Sequence, residues 1–219
     1  MKGRLQDEYQ TVTAFPAALI AVLVTLPELI LQGSDHWLWG GSLWRSLSYQ
    51  YGAFWAGLLH GWTPNYAAQP VIMFLSHAVL HAGLGHLLGN IVGILTLGQV
   101  VNERQGAGGF LIICLLTAIG GGLAFGLLSR SPQPMVGASG IVFGLAGAWA
   151  WGGVTDRRCA GQGRWKAIWP FLAISAGLAV FNLVSFVLLK GIFAWEAHLG
   201  GYLSGMFCVV VAEMRQRRR

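Results

Sequence analysis

Long apolar stretches alternate with short polar gaps along most of the chain. Six of these stretches are long enough to cross a bilayer, since a spanning helix needs roughly 17–25 apolar residues. They cover residues 12–31, 71–101, 108–128, 135–153, 167–189 and 194–212. The apolar residues run continuously instead of alternating, which favours helices over a membrane β-barrel. We therefore predict an all-α fold, a polytopic bundle of six transmembrane helices that forms a single domain over residues 1–219.

The composition also excludes an ordinary soluble domain. Hydrophobic residues make up 55% of the chain and charged residues 10%, whereas soluble domains carry about 25% charged residues. The three cysteines are an odd number, and Cys114 and Cys208 lie inside apolar stretches, so we predict no disulfide framework. Asp7 and Glu8 precede the first stretch and no clear cleavage site follows it, which favours a retained helix over a cleaved signal peptide.

The positions of the basic residues predict the orientation in the membrane. The formal net charge is +6, but the Lys and Arg residues cluster in the gaps and at the termini, which is typical of a topology signal and not of nucleic-acid binding. Three of them would lie on one side: Arg45, Arg130 and Lys190. The other eleven would lie on the opposite side: Lys2, Arg4, Arg104, Arg157, Arg158, Arg164, Lys166, Arg215, Arg217, Arg218 and Arg219. The positive-inside rule then places both termini in the cytoplasm.

The longest gap, residues 33–70, is predicted to be an external loop lying in the membrane interface. It holds half of the ten tryptophans of the chain, and indole rings favour the headgroup layer. Residues 43–62 are moderately apolar but are interrupted by Arg45 and several other polar residues. A buried seventh span over this region is the alternative.

The second apolar stretch contains three histidines and an asparagine: His77, His81, His86 and Asn90. On a continuous helix, His77 and His81 share one face, and we expect them near the outer surface in contact with water. An H-x-x-x-H pair can bind zinc, but no further Cys or acidic ligands accompany it, so we predict no metal site. His86 and Asn90 share another face among several glycines, where interhelical hydrogen bonding would explain them as well as chemistry would.

Two further polar motifs lie in the fourth and sixth stretches. The sequence Gly137-Ala138-Ser139-Gly140 by itself indicates tight helix packing, and His198 by itself could be a hydrogen-bonding partner, a ligand or a proton relay. Taken together with His86 and Asn90, these residues could supply the nucleophile, base and oxyanion donors of an acyl-transfer site. Glu196 would point away from His198 on a helix, so the sequence favours a Ser–His dyad over a triad.

Three motifs in this order resemble the rhomboid family of intramembrane serine proteases: His86-x-x-x-Asn90, Gly137-Ala138-Ser139-Gly140, and Ala197-His198 followed by Gly201-x-x-x-Gly205. The similarity covers residues 71–215. It implies a six-helix bundle with a water-filled cavity open to the external side. It further implies that Ser139 attacks the scissile carbonyl and that His198 acts as base and then as acid. His86, Asn90 and the Ser139 amide would stabilise the oxyanion, and Phe143 would stack near His198.

The resemblance also implies the setting of the reaction. The substrates would be single-span membrane proteins with helix-destabilising residues near the cleavage site, and neither a cofactor nor a metal would take part. The chain is similar to the minimal bacterial form, which implies the bacterial inner membrane, and Glu103 resembles an acidic position of the family. One departure is that Trp44-Arg45 lies far upstream of His77, whereas the family often has this pair shortly before the second span.

Two other functions are compatible with this sequence. An inactive rhomboid-like protein that binds membrane clients is the first, although such relatives tend to lack the Ser or the His, and this chain has both. A small transporter or channel is the second, but the internal repeat common in transporters is not evident. The sequence makes no prediction of the oligomeric state.

Overall fold

The structure is a computed structural model that describes residues 2–216, with side chains over residues 15–215. Its long elements are helices: α1 (Lys2–Asp35), α2 (Leu43–Gly52), α3 (Gln69–Ser76), α4 (Leu84–Leu128), α5 (Ser139–Cys159), α6 (Arg164–Leu188) and α7 (Trp195–Gln216). Two short 3-10 helices cover Ala56–Leu59 and His77–Val79. Five of the basic residues that predict the topology lie outside the described side chains: Lys2, Arg4, Arg217, Arg218 and Arg219.

Four helical stretches in the described part of the chain are long and apolar enough to cross a membrane: 15–35 of α1, α4, α6 and 195–215 of α7. The helix α4 has 45 residues, about twice the length that a bilayer requires. Its backbone leaves the helical conformation at Gly106 (φ 71°, ψ 166°). A Cβ added at Gly98 would lie 3.1 Å from the Phe110 ring, so the two halves of α4 fold back on each other. The all-α membrane bundle is thus confirmed, while the count of six spans stays a prediction.

The second predicted stretch, 71–101, is wrong as a single helix. The chain forms α3, then the 3-10 turn His77–Val79, and restarts as α4 at Leu84 after Gly83, whose φ of 111° favours glycine. His77 and His81 therefore do not share a helix face. The expectation that they contact water is also wrong, because they are 1% and 0% exposed.

The centre of the bundle is α5, which packs against α7 through glycines. A Cβ on Gly201 would collide with the Gly140 carbonyl oxygen, and a Cβ on Gly205 would collide with that of Gly144. Only glycine allows two helix backbones to approach so closely. The small residues of these two motifs thus bring the beginning of α5 and the beginning of α7 together.

The region 33–70 does not form a seventh span. Its longest helix, α2, has 10 residues and would extend only about 15 Å, half of the hydrocarbon thickness. Phe54 pairs with Met135 by two backbone hydrogen bonds of 3.0 and 2.9 Å, which ties this region to the segment before α5.

Arg45 joins α2 to the rest of the molecule. Its guanidinium donates to both carboxylate oxygens of the fully buried Glu28, to Asp35, and over 2.8 Å to the His81 carbonyl. Burial lowers the pKa of Arg45, but hydrogen bonds to Glu28, Tyr49 and Asp35 outweigh burial and hold this pKa above its ordinary value. Arg45 thus contacts the second stretch despite a separation of 36 residues from His81.

Candidate active site

Ser139 is the first residue of α5, and a tight turn places it there. Gly137 has a φ of 123°, and its N–H donates to the His77 carbonyl over 2.9 Å. The next N–H, that of Ala138, donates to Nε2 of His81 over 3.5 Å. The His77 backbone and the His81 side chain therefore hold the turn that precedes Ser139. For His81 this is a structural role that differs from both the water contact and the metal binding considered above.

His198, on the first turn of α7, faces Ser139 directly. Its Nε2 lies 2.8 Å from Ser139 Oγ, and the residue is 4% exposed. The Phe143 ring stacks on the imidazole with centroids 4.1 Å apart and planes 2° from parallel, as the resemblance implied. Phe193 covers another side edge-on, with centroids 4.8 Å apart. These rings confine the imidazole to a narrow slot in front of the serine.

Asn182 of α6 occupies the far side of the imidazole, and the sequence analysis missed it. Its Oδ1 lies 2.7 Å from His198 Nδ1, so His198 has partners at both ring nitrogens. A neutral amide thus takes the place that a carboxylate has in a serine-protease triad. One signal could have found it, because a polar amide inside the apolar stretch 167–189 is costly in lipid and is a functional-site candidate by default.

His86 and Asn90 lie one turn apart on α4 and both approach Gly137. A Cβ on Gly137 would lie 2.6 Å from Cε1 and 2.7 Å from Nε2 of His86, and 3.6 Å from Nδ2 of Asn90. The Ala82 N–H donates to His86 Nδ1 over 3.4 Å, which leaves the other nitrogen of His86 as the N–H donor. Glycine at 137 therefore permits both side chains to reach the turn before Ser139.

Asn90 has an unsatisfied buried donor. The residue is 5% exposed, and its Nδ2 has no hydrogen-bond partner among the described residues. A buried donor without a partner costs about 1–3 kcal/mol, so such a group calls for a reason. An acceptor that arrives with a substrate would supply one.

The beginning of α5 adds backbone donors to this group. The first N–H groups of a helix have no partner inside the helix, and the helix dipole favours negative charge at this end. The first such groups of α5 belong to Ser139 and Gly140. A carbonyl oxygen that becomes negative beside Ser139 would therefore meet backbone N–H groups, Asn90 and His86 together.

A cavity of about 720 Å³ gives access to the Ser139–His198 pair. His86, Ser139 and His198 line it together with residues of the segments 129–136 and 186–196. A second, mostly apolar cavity of about 890 Å³ lies between α5, α6 and α7 and reaches His198 from the side of Asn182. Within the described residues, no group of three or more His, Cys, Asp or Glu side chains could hold a metal ion.

Comparison with known proteins points to one family. The Rhomboid domain model matches residues 68–214. The rhomboid protease GluP of Bacillus subtilis is 31% identical over 135 residues, which cover 61% of this chain and 24% of that protein. The rhomboid-like protein 11, chloroplastic, of Arabidopsis thaliana is 29% identical over 145 residues, which cover 62% of this chain and 50% of that protein. The chain thus spans half or less of the length of these two relatives.

The family match extends over more than half of the chain and includes every residue of the site around Ser139. The helices that carry this site are apolar and long enough to cross a bilayer at α4, α6 and α7. The chain is therefore an integral membrane protein of the rhomboid family.

Proposed function

We propose that this protein is an intramembrane serine endopeptidase that cleaves transmembrane protein substrates with Ser139 and His198. The observation that carries the proposal is the 2.8 Å contact between Ser139 Oγ and His198 Nε2. A serine hydroxyl is a weak nucleophile unless a base within hydrogen-bond reach takes its proton. In the described structure, His198 is at that distance and carries a partner on its other nitrogen.

The reaction follows the order of acyl transfer. Ser139 Oγ attacks the scissile carbonyl while His198 Nε2 takes the hydroxyl proton, and the carbonyl oxygen becomes the oxyanion. The Ser139 N–H, Asn90 and His86 donate to this oxygen. His198 then gives its proton to the leaving amine as the C–N bond breaks. A water molecule repeats the sequence on the acyl-enzyme, which releases the new carboxylate and restores Ser139.

The substrates that fit this site are single-span membrane proteins in a lipid bilayer. A peptide bond within a helix has its carbonyl tied to an N–H four residues on, so attack requires a locally unwound segment. Helix-destabilising residues near the cleavage site would supply that segment. With both termini in the cytoplasm of a bacterium, the cavity at Ser139 opens to the external side of the inner membrane.

The test is fluorophosphonate labelling of the purified protein, combined with cleavage of a model transmembrane substrate. We expect labelling and cleavage for the wild type, and neither for Ser139→Ala. Ser46→Ala, which removes an exposed hydroxyl of α2, is the matched control and should retain both. If the wild type neither labels nor cleaves but still retains a membrane client, the protein is a client-binding rhomboid-like protein and the protease proposal fails.

A further inference from the structure

We infer that Asn182 is a positioning residue that fixes the tautomer and the orientation of His198. This inference rests on the proposed function, because it concerns the base of that reaction. The amide touches neither the nucleophile nor a reacting atom. Its contact is with Nδ1 of the imidazole, on the side opposite Ser139.

The orientation of the Asn182 amide follows from a second hydrogen bond. Its Nδ2 lies 2.8 Å from the Leu178 carbonyl oxygen, one turn back on α6. A carbonyl oxygen can only accept, so the NH₂ group must face Leu178 and the amide oxygen must face His198. His198 Nδ1 then carries the proton and donates to Oδ1. The lone pair is thereby left on Nε2, which faces Ser139.

This constraint matters because an unconstrained asparagine would be harmful here. In soluble serine proteases, asparagine in place of the triad aspartate lowers turnover by about 10⁴ because it favours the wrong histidine tautomer. The Leu178 carbonyl removes that choice by engaging the NH₂ group of Asn182. The neutral amide of Asn182 therefore orients His198 as a carboxylate would. It does so without placing a charge in the membrane interior, which would cost free energy.

Helix–helix adhesion is the competing explanation for Asn182. The helix α6 has one buried side chain in its described length, that of Ala167 near its beginning. A second polar contact also joins α6 to α7, since Ser175 Oγ lies 2.7 Å from the Tyr202 hydroxyl. If Asn182 only held α6 against α7, losing the Asn182–His198 contact or the Ser175–Tyr202 contact would lower the reaction rate by the same amount. Ser175 therefore provides a matched control on the same pair of helices.

The decisive experiment compares three variants: Asn182→Leu, Asn182→Asp and Ser175→Ala. Leucine keeps the branched shape but accepts no hydrogen bond, so we expect kcat and the rate of fluorophosphonate labelling at Ser139 to fall about 10- to 100-fold, the loss that one hydrogen bond to a charged group represents. KM should change little. Asn182→Asp retains an oxygen acceptor for Nδ1–H, and its charge is offset by the imidazolium that forms during the reaction, so this variant should recover most of the rate. Ser175→Ala should keep the wild-type rate.

Two results would overturn the inference. A labelling rate for Asn182→Leu within about threefold of wild type would mean that His198 needs no orienting partner. An equal loss of rate in Ser175→Ala would assign Asn182 to adhesion alone. If Asn182→Leu does not fold in detergent, Asn182→Ala replaces it in the same comparison. Labelling and substrate cleavage by the wild type but not by Ser139→Ala test the protease proposal independently of Asn182, so the two failures are distinguishable.

Discussion

The helices α7 and α6 both reach the imidazole of His198, but they are held in different ways. The backbone of α7 packs directly on the rest of the bundle, because its Gly200, Gly201 and Gly205 lie against carbonyl oxygens of Gly120, Gly140 and Gly144. By contrast, α6 buries only Ala167 among its described side chains and contacts α7 through side-chain hydrogen bonds. The base is therefore carried by a rigidly packed helix and oriented by a loosely packed one.

This difference separates two requirements of the site. The distance between nucleophile and base depends on how closely α5 and α7 approach, and misplacement by about 1 Å can cost roughly 10²-fold in rate. The rotation and tautomer of the imidazole depend instead on side chains around it. The glycine interface sets the distance, whereas the contact of Asn182 with His198 depends on where α6 lies.

The largest effect should come from removing the base from the rigid helix. We expect His198→Ala to lose turnover by about 10⁶, since members of a catalytic unit each carry nearly the whole effect. Labelling by a fluorophosphonate should also disappear, because Ser139 then has no base. The double variant with Ser139→Ala should be no worse than either single variant.

Retained labelling in His198→Ala would contradict the assignment of His198 as the base. The control for folding is the melting temperature in detergent, since the lost imidazole also leaves a gap between Phe143 and Phe193. A variant that melts like the wild type and still fails to label isolates the chemical role.

The comparison also shows what the sequence could and could not predict. The glycines around Ser139 and His198 indicate close packing from their spacing alone, and the packing of Gly140 on Gly201 confirms it. The contact between Asn182 and His198 could not be read from that pattern. It requires α6 to end and the chain to reverse before α7 begins, and nothing in the spacing of 16 residues specifies that geometry.

The second apolar stretch shows the same limit. Hydropathy over 71–101 is continuous, so it conceals the break at residues 80–83 and the separate roles of its histidines. The His81 imidazole lies against the turn before Ser139, where the Ala138 N–H donates to it, whereas Nε2 of the buried His77 lies 3.4 Å from the Ala118 carbonyl oxygen. Those partners lie 57 residues away in the case of His81 and Ala138. Composition predicts that a polar residue in lipid needs a partner, but it does not identify the partner.

A smaller effect is expected at the oxyanion donors, which approach from α4. Loss of one such donor in a soluble hydrolase costs about 10²–10³ in turnover. We expect Asn90→Ala to lower the single-turnover rate by that order without abolishing it, because His86 and the backbone N–H groups remain. The melting temperature should not fall, since Nδ2 of Asn90 has no described partner to lose.

Both measurements on one preparation separate the two roles of Asn90. A large loss of rate at an unchanged melting temperature supports the oxyanion role. An unchanged rate would remove Asn90 from the site, whatever happens to stability. Parallel losses of rate and stability would show that Asn90 belongs to the packing of α4 and not to the chemistry.

The most direct test of the comparison adds one methyl group to each of the two helices. In Gly201→Ala the new Cβ meets the Gly140 carbonyl oxygen of α5, so α7 must shift, and overpacking of this kind typically costs about 1–3 kcal/mol. Because the shift separates His198 from Ser139, we expect the rate to fall by up to about 10²-fold and the melting temperature to drop.

In Gly177→Ala nothing lies within 4 Å of the new Cβ on α6, and alanine favours a helix over glycine by about 1 kcal/mol. That variant should keep the wild-type rate and melt at the same temperature or higher. Equal losses in both variants would mean that α6 is packed as tightly as α7. No loss in either would mean that the approach of α5 and α7 does not set the distance between the nucleophile and its base.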